Sequence, residues 1–108
     1  MILYGIPTCD TCRKALAQIR AAGLPVSFRD IRAAPLAADE IAGLLAALGP
    51  GLVNRASATW RGLDAAAREG DAAALLAAHP ALMKRPVIRR GGQVTMGWTP
   101  EVKSLILK

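Results

Sequence analysis

Both cysteines of the chain fall in one octapeptide, Pro7-Thr8-Cys9-Asp10-Thr11-Cys12-Arg13-Lys14. A C-x-x-C pair at the junction of a β-prone run and a helical pattern is an arrangement suited to thiol redox chemistry. Cys9 falls at the helix N-terminus, where unpaired backbone N–H groups and the macrodipole favour an anion. A thiol so placed drops from about 8.5 into the range of roughly 3.5–7.5 and carries reactive thiolate at neutral pH. Cys12, one turn later on the inward stripe, is close enough to resolve a mixed disulfide on Cys9. Asp10 opposes this activation, whereas Arg13 and Lys14 support it. Other readings compete. A structural disulfide suits neither a reducing cytosol nor so short a loop. Zinc needs four ligands, and the chain offers two cysteines and His79, so no metal is expected. Two inert thiols remain as the alternative. His79 precedes Pro80 at a helix end and is assigned to the C-terminal dipole, outside the site.

The elements that must position this pair follow from hydrophobic period and turn residues. Residues 2–6 (Ile-Leu-Tyr-Gly-Ile) form a short β-prone run that stops at Pro7. Cys12, Ala15, Leu16, Ile19 and Ala22 mark one apolar helical face, with Gly23 as its stop and Pro25 beyond. Val26 to Ile31 reads as a second strand, so the opening is strand, helix, strand with a parallel crossover. Ile41, Leu44, Leu45 and Leu48 make a second helical stripe that ends at Gly49-Pro50-Gly51. Residues 60–69 and 71–79 read as two further short helices, with Asp71 capping the latter and Pro80 stopping it. Pro86 to Arg90 and Gln93 to Gly97 read as strands joined by the Gly91-Gly92 turn. Pro100 opens a last helix bearing Val102, Leu105 and Ile106. The order is βαβ, a helical insertion, then ββα: an α/β fold with a mixed sheet.

The chain's 108 residues make one domain's worth of protein, expected to form a single domain over 1–108. Apolar residues are 53% and charged residues 20%, which excludes a disordered chain. Aromatics are only 4%, so the core must come from leucine and small side chains packed closely. No apolar run approaches the ~20 residues that span a bilayer, and no secretory pattern is visible at residues 1–5. A soluble cytoplasmic domain is expected. The net charge of +6 admits anionic substrates or nucleic acid without choosing between them. The basic residues are scattered, as on an ordinary solvated surface.

Several stretches together resemble one family: Tyr4-Gly5-Ile6-Pro7-Thr8-Cys9-Asp10-Thr11-Cys12-Arg13-Lys14-Ala15, Leu52-Val53-Asn54-Arg55-Ala56, Thr59-Trp60-Arg61-Gly62-Leu63-Asp64, Lys84-Arg85-Pro86-Val87 and Gly97-Trp98. They are similar to the arsenate reductase (ArsC)/Spx family, most of all to its YffB-like branch. The resemblance implies a thioredoxin-like fold with a helical insertion, a Cys9 nucleophile and a cis-Pro86 facing it. It also implies an anion site drawn from Arg13, Asn54, Arg55, Arg85 and Pro86. The YffB-like branch implies a glutathione-dependent thiol reductase with no bound cofactor. Glutathione, whose carboxylates Arg13, Arg55 and Arg85 would hold, is then the thiol co-substrate, with glutaredoxin as a further partner. Three departures separate this chain from arsenate reductases proper. Cys12 stands where those enzymes carry serine, Arg55 is one residue beyond their arginine position, and Gly97 replaces their third oxyanion arginine. The Spx branch implies the alternative, a redox-switched regulator that binds RNA polymerase.

Overall fold

A computed structural model describes residues 1–107. In chain order the elements are β1 (Ile2–Gly5), α1 (Asp10–Ala21), β2 (Ser27–Asp30), α2 (Ala38–Leu48), α3 (Ala58–Arg61), α4 (Ala65–Arg68), α5 (Ala72–Ala78), β3 (Val87–Arg90), β4 (Gln93–Met96) and α6 (Pro100–Ile106). Two single 3₁₀ turns, Pro50–Leu52 and Pro80–Leu82, follow α2 and α5. The chain divides into two compact units, one of Met1–Asp30 with the chain from Arg85 onward, the other of Ile31–Lys84.

The first unit is built on a four-stranded sheet of order β2-β1-β3-β4. β1 and β2 run parallel, with Ile2 opposite Ser27 and Gly5 opposite Asp30, as the intervening helix requires. β3 lies antiparallel to β1 and to β4, which returns through the Gly91-Gly92 turn. The sheet is therefore mixed. α1 turns Cys12, Ala15 and Ile19 inward, and these pack with Leu3, Ile88 and Ile106 into a fully buried core. Each large aliphatic side chain so buried contributes about 1.5–3 kcal/mol. α1 ends where expected. Gly23, at φ +76°, donates its N–H to Arg20 O, and Leu24 N–H reaches Ile19 O, which satisfies two terminal carbonyls. α6 starts at Thr99, whose hydroxyl accepts from Val102 N–H, with Pro100 in the first helical position.

The second unit is helical and is the insertion. Ile31 ahead of α2, Ile41 and Leu44 of α2, Leu75 and Leu76 of α5, and Leu52, Val53, Leu82 and Met83 are buried there. The two proline-led 3₁₀ turns are joined by a single antiparallel bridge between Val53 and Met83. Asn54 N–H donates to Leu82 O at 2.7 Å and Lys84 N–H to Leu52 O at 2.8 Å. One expectation is corrected here. Residues 60–69 are not one helix but parts of two single turns, α3 and α4. Gly62 ends the first, and Asp64 caps the second by accepting from Ala67 N–H. Asp71 caps α5 as expected, through Ala74 N–H.

Candidate active site

The site begins where β1 ends. Gly5 is followed by a tight turn in which Cys9 N–H donates to Ile6 O at 3.0 Å. That turn makes Cys9 the N-cap of α1, in extended conformation, with its sulfur where a capping oxygen usually stands. Cys9 is half-buried; Cys12, a turn along the helix, is 0% exposed. Gly5 is what lets Cys12 sit there. A Cβ added at residue 5 would lie 2.6 Å from Cys12 Sγ and 3.3 Å from Leu3 Cδ2. Only glycine allows the thiol to rest directly on the backbone of β1.

The two thiols are driven in opposite directions. Burial works against a charged Cys9, but the Cys12 backbone N–H, the Cys12 thiol and the Arg85 guanidinium together outweigh it and hold Cys9 below the usual thiol range. Burial dominates at Cys12, and the neighbouring Cys9 adds to it. The Ile6 backbone N–H and Arg85 offset this only in part, so Cys12 is pushed up to about 11. The pair is thus a half-buried thiol biased toward thiolate beside a buried thiol that keeps its proton near neutral pH.

Arg85 reaches Cys9 from the segment just before β3. The Arg85–Pro86 peptide bond is cis and Pro86 is fully buried. Pro86 O accepts Gly97 N–H at 2.8 Å, which ties the start of β3 to the end of β4. Arg13, also expected at the site, is exposed on α1 and ion-paired with Asp10. Asn54 and Arg55 belong to the second unit. Asn54 Oδ1 accepts from Ala56 N–H and its carbonyl accepts from Ser57 Oγ–H, so it organises the entry to α3. The Arg55 guanidinium lies 5.3 Å from the Trp60 ring centroid, with Arg68 5.7 Å from the same ring. Gly5 and the Ile6 N–H were missed as site residues. The available signal was a glycine closing the strand that leads into C-x-x-C.

A parallel βαβ opening, an antiparallel β3–β4 return and an asymmetric thiol pair at the first helix N-terminus define a thioredoxin-like thiol protein. The ArsC family model matches residues 4–104, and the chain belongs to the ArsC family. Its fold is similar to that of the YFFB protein, with a TM-score of 0.91 and 31% identity over 99% of this chain and 98% of that one. An arsenate reductase (ArsC) related protein from Brucella melitensis superposes with a TM-score of 0.76 and 32% identity, covering 99% and 93% of the two chains. The global transcriptional regulator Spx of Bacillus subtilis is 29% identical over 105 residues, which is 92% of this chain and 80% of that protein. Among the described residues no helix is long and apolar enough to cross a membrane.

Proposed function

We propose that this chain is a thiol–disulfide reductase that uses Cys9 as nucleophile and glutathione as reductant. The observation that carries this reading is the opposite displacement of the two thiols. Cys9 thiolate attacks one sulfur of a substrate disulfide, forms a mixed disulfide and expels the other thiolate, which takes a proton from solvent. Resolution by Cys12 needs its thiolate, and burial, the largest cause of its raised value, still opposes that charge when Cys9 is held in the mixed disulfide. An external thiol at millimolar level competes well with a nucleophile so disfavoured. One glutathione thiolate displaces the substrate thiol from Cys9. A second attacks that glutathione sulfur, releasing glutathione disulfide and returning Cys9 as thiolate. Two glutathiones are oxidised for each disulfide reduced. Arg85, beside Cys9, is suited to an anionic thiol as well as to the thiolate.

The test is turnover of a small disulfide with glutathione, followed through glutathione disulfide formation. Cys9→Ser is expected to abolish turnover and Cys12→Ser to retain most of it. Loss of turnover in Cys12→Ser would make Cys12 the resolving thiol and remove glutathione from that step. A second reading, a redox-switched regulator that binds RNA polymerase, is favoured by the similarity to Spx along most of the chain. In that reading Cys9 and Cys12 would form a disulfide on oxidation, and no reductase turnover would accompany it.

A further inference from the structure

Beside the thiol pair, in the first unit, runs an open groove of about 370 Å³ lined by Pro7, Arg13, Leu16, Arg20 and Phe28. Such a volume lies at the lower end of the ~300–1,000 Å³ usual for ligand sites. Leu16 and Phe28 pack inward against the buried core yet are only partly covered, so they present an apolar floor. Pro7 closes the end nearest Cys9, two residues away in the turn that positions it. The charges are unequal along the groove. Arg13, at the Cys9 end, is met by Asp10. Arg20, in the last turn of α1, is exposed and has no carboxylate on it among the described residues. The groove is therefore apolar in the middle, neutralised near the thiol and cationic at the far end.

We propose that this groove is a docking track for the polypeptide that flanks a substrate disulfide, taking an apolar residue over Leu16 and Phe28 and an acidic residue at Arg20. The proposal rests on the reductase reading above and names the substrate class of that site: peptide or protein disulfides. The spacing follows from helix geometry. Cys9 and Arg20 are eleven positions apart, about 16 Å of helix rise. An extended chain covers that in about five residues at ~3.3 Å each. Glutathione is too short to reach from the disulfide to Arg20, so it reacts at Cys9 without using the track. During turnover Cys9 thiolate attacks the peptide sulfur and the partner thiol leaves. Glutathione then completes the cycle as above.

The test uses the full chain and the symmetrical disulfide of a blocked hexapeptide with cysteine first, leucine third and aspartate fifth, which an extended chain turns to one face, together with its reversed-order counterpart. Each is compared with versions carrying lysine for aspartate or serine for leucine, and with bis(2-hydroxyethyl) disulfide as a flankless substrate. In at least one direction the leucine–aspartate peptide is expected to exceed the lysine version by about tenfold in kcat/KM at low salt. The gap should narrow as salt screens it. Arg20→Glu should reverse that preference. In Cys9→Ser protein, the reduced peptide should shift the NMR signals of Leu16, Arg20 and Phe28, a readout that needs no turnover. Reduction of bis(2-hydroxyethyl) disulfide with no peptide preference and no such shifts would overturn the track while leaving the reductase. Absence of all turnover would overturn the reductase reading, and the peptide-induced shifts would then still decide whether the groove binds.

Discussion

Cys9 and Cys12 are the same side chain with two residues between them, and their surroundings separate them. The charge that favours Cys9 thiolate includes the Arg85 guanidinium. Arg85→Ala is expected to raise the pH midpoint of Cys9 alkylation and to slow labelling near neutrality about two- to fivefold, the range for a partly exposed charge pair. An unchanged midpoint would remove Arg85 from the site. The pair also writes opposite signs into stability. Cys9 is held below the ordinary thiol value of 9.0, so its thiolate stabilises the folded state increasingly as pH rises through its folded value toward 9. Cys12 is raised to about 11, so the folded state keeps a proton that the unfolded chain releases, and stability falls between pH 9 and 11. The full fall is up to roughly 2–3 kcal/mol. Urea unfolding of the reduced protein across that window should show a steeper loss for the wild type than for Cys12→Ser.

At the scale of elements, β1 and β4 each carry a residue whose replacement reports on packing. Gly5→Ala places a methyl 2.6 Å from Cys12 Sγ, against a fully buried core. Overpacking of this kind costs about 1–3 kcal/mol and should push Cys12 off β1. A lower Tm together with faster alkylation of Cys12 is the expected result; a lower Tm with Cys12 still shielded would mean that the helix moves as a body instead. Thr95, in β4 opposite Ile88, is only 7% exposed, and its hydroxyl has no hydrogen-bond partner among the described residues. A buried unsatisfied polar group costs about 1–3 kcal/mol. Thr95→Val is nearly isosteric and should raise the urea midpoint. A fall would show that the hydroxyl is satisfied in solution.

For the whole molecule, family membership leaves open which anion chemistry the chain performs. The family resemblance puts Gly97 about where arsenate reductases carry their third oxyanion arginine, and its φ is +84°. A missing charge-assisted hydrogen bond of about 1.5–3 kcal/mol lowers transition-state stabilisation ten- to a hundredfold or more. Arsenate turnover with glutathione and glutaredoxin is expected to fall short of a dedicated reductase by at least that factor. Gly97→Arg should not restore it, because the left-handed conformation costs a side chain about 1–2 kcal/mol. Turnover equal to a dedicated enzyme's would reinstate arsenate as substrate. Immobilised chain is expected to leave RNA polymerase in the lysate; its capture in an oxidation-dependent manner would favour the regulator reading.

The residues alone determined much of this: a β1 that ends before Pro7, an α1 whose Cys12, Ala15 and Ile19 face inward, its stop at Gly23, the Asp71 cap and the Gly91-Gly92 turn. These depend on neighbours within a few positions, where period, propensity and capping act. Even there a competing local signal can win, as Gly62 and Asp64 do in splitting residues 60–69 into two turns. The role of Gly5 and the rise of Cys12 were decided only by tertiary structure, whereas the lowering of Cys9 was already implied by its place at the helix N-terminus. The charge beside the nucleophile comes from Arg85, which the family resemblance placed in the anion site and which local reading, confined to Arg13 and Lys14, could not reach. Desolvation and Coulomb interaction depend on distance through space, and no spacing along the chain states that distance until the sheet has closed.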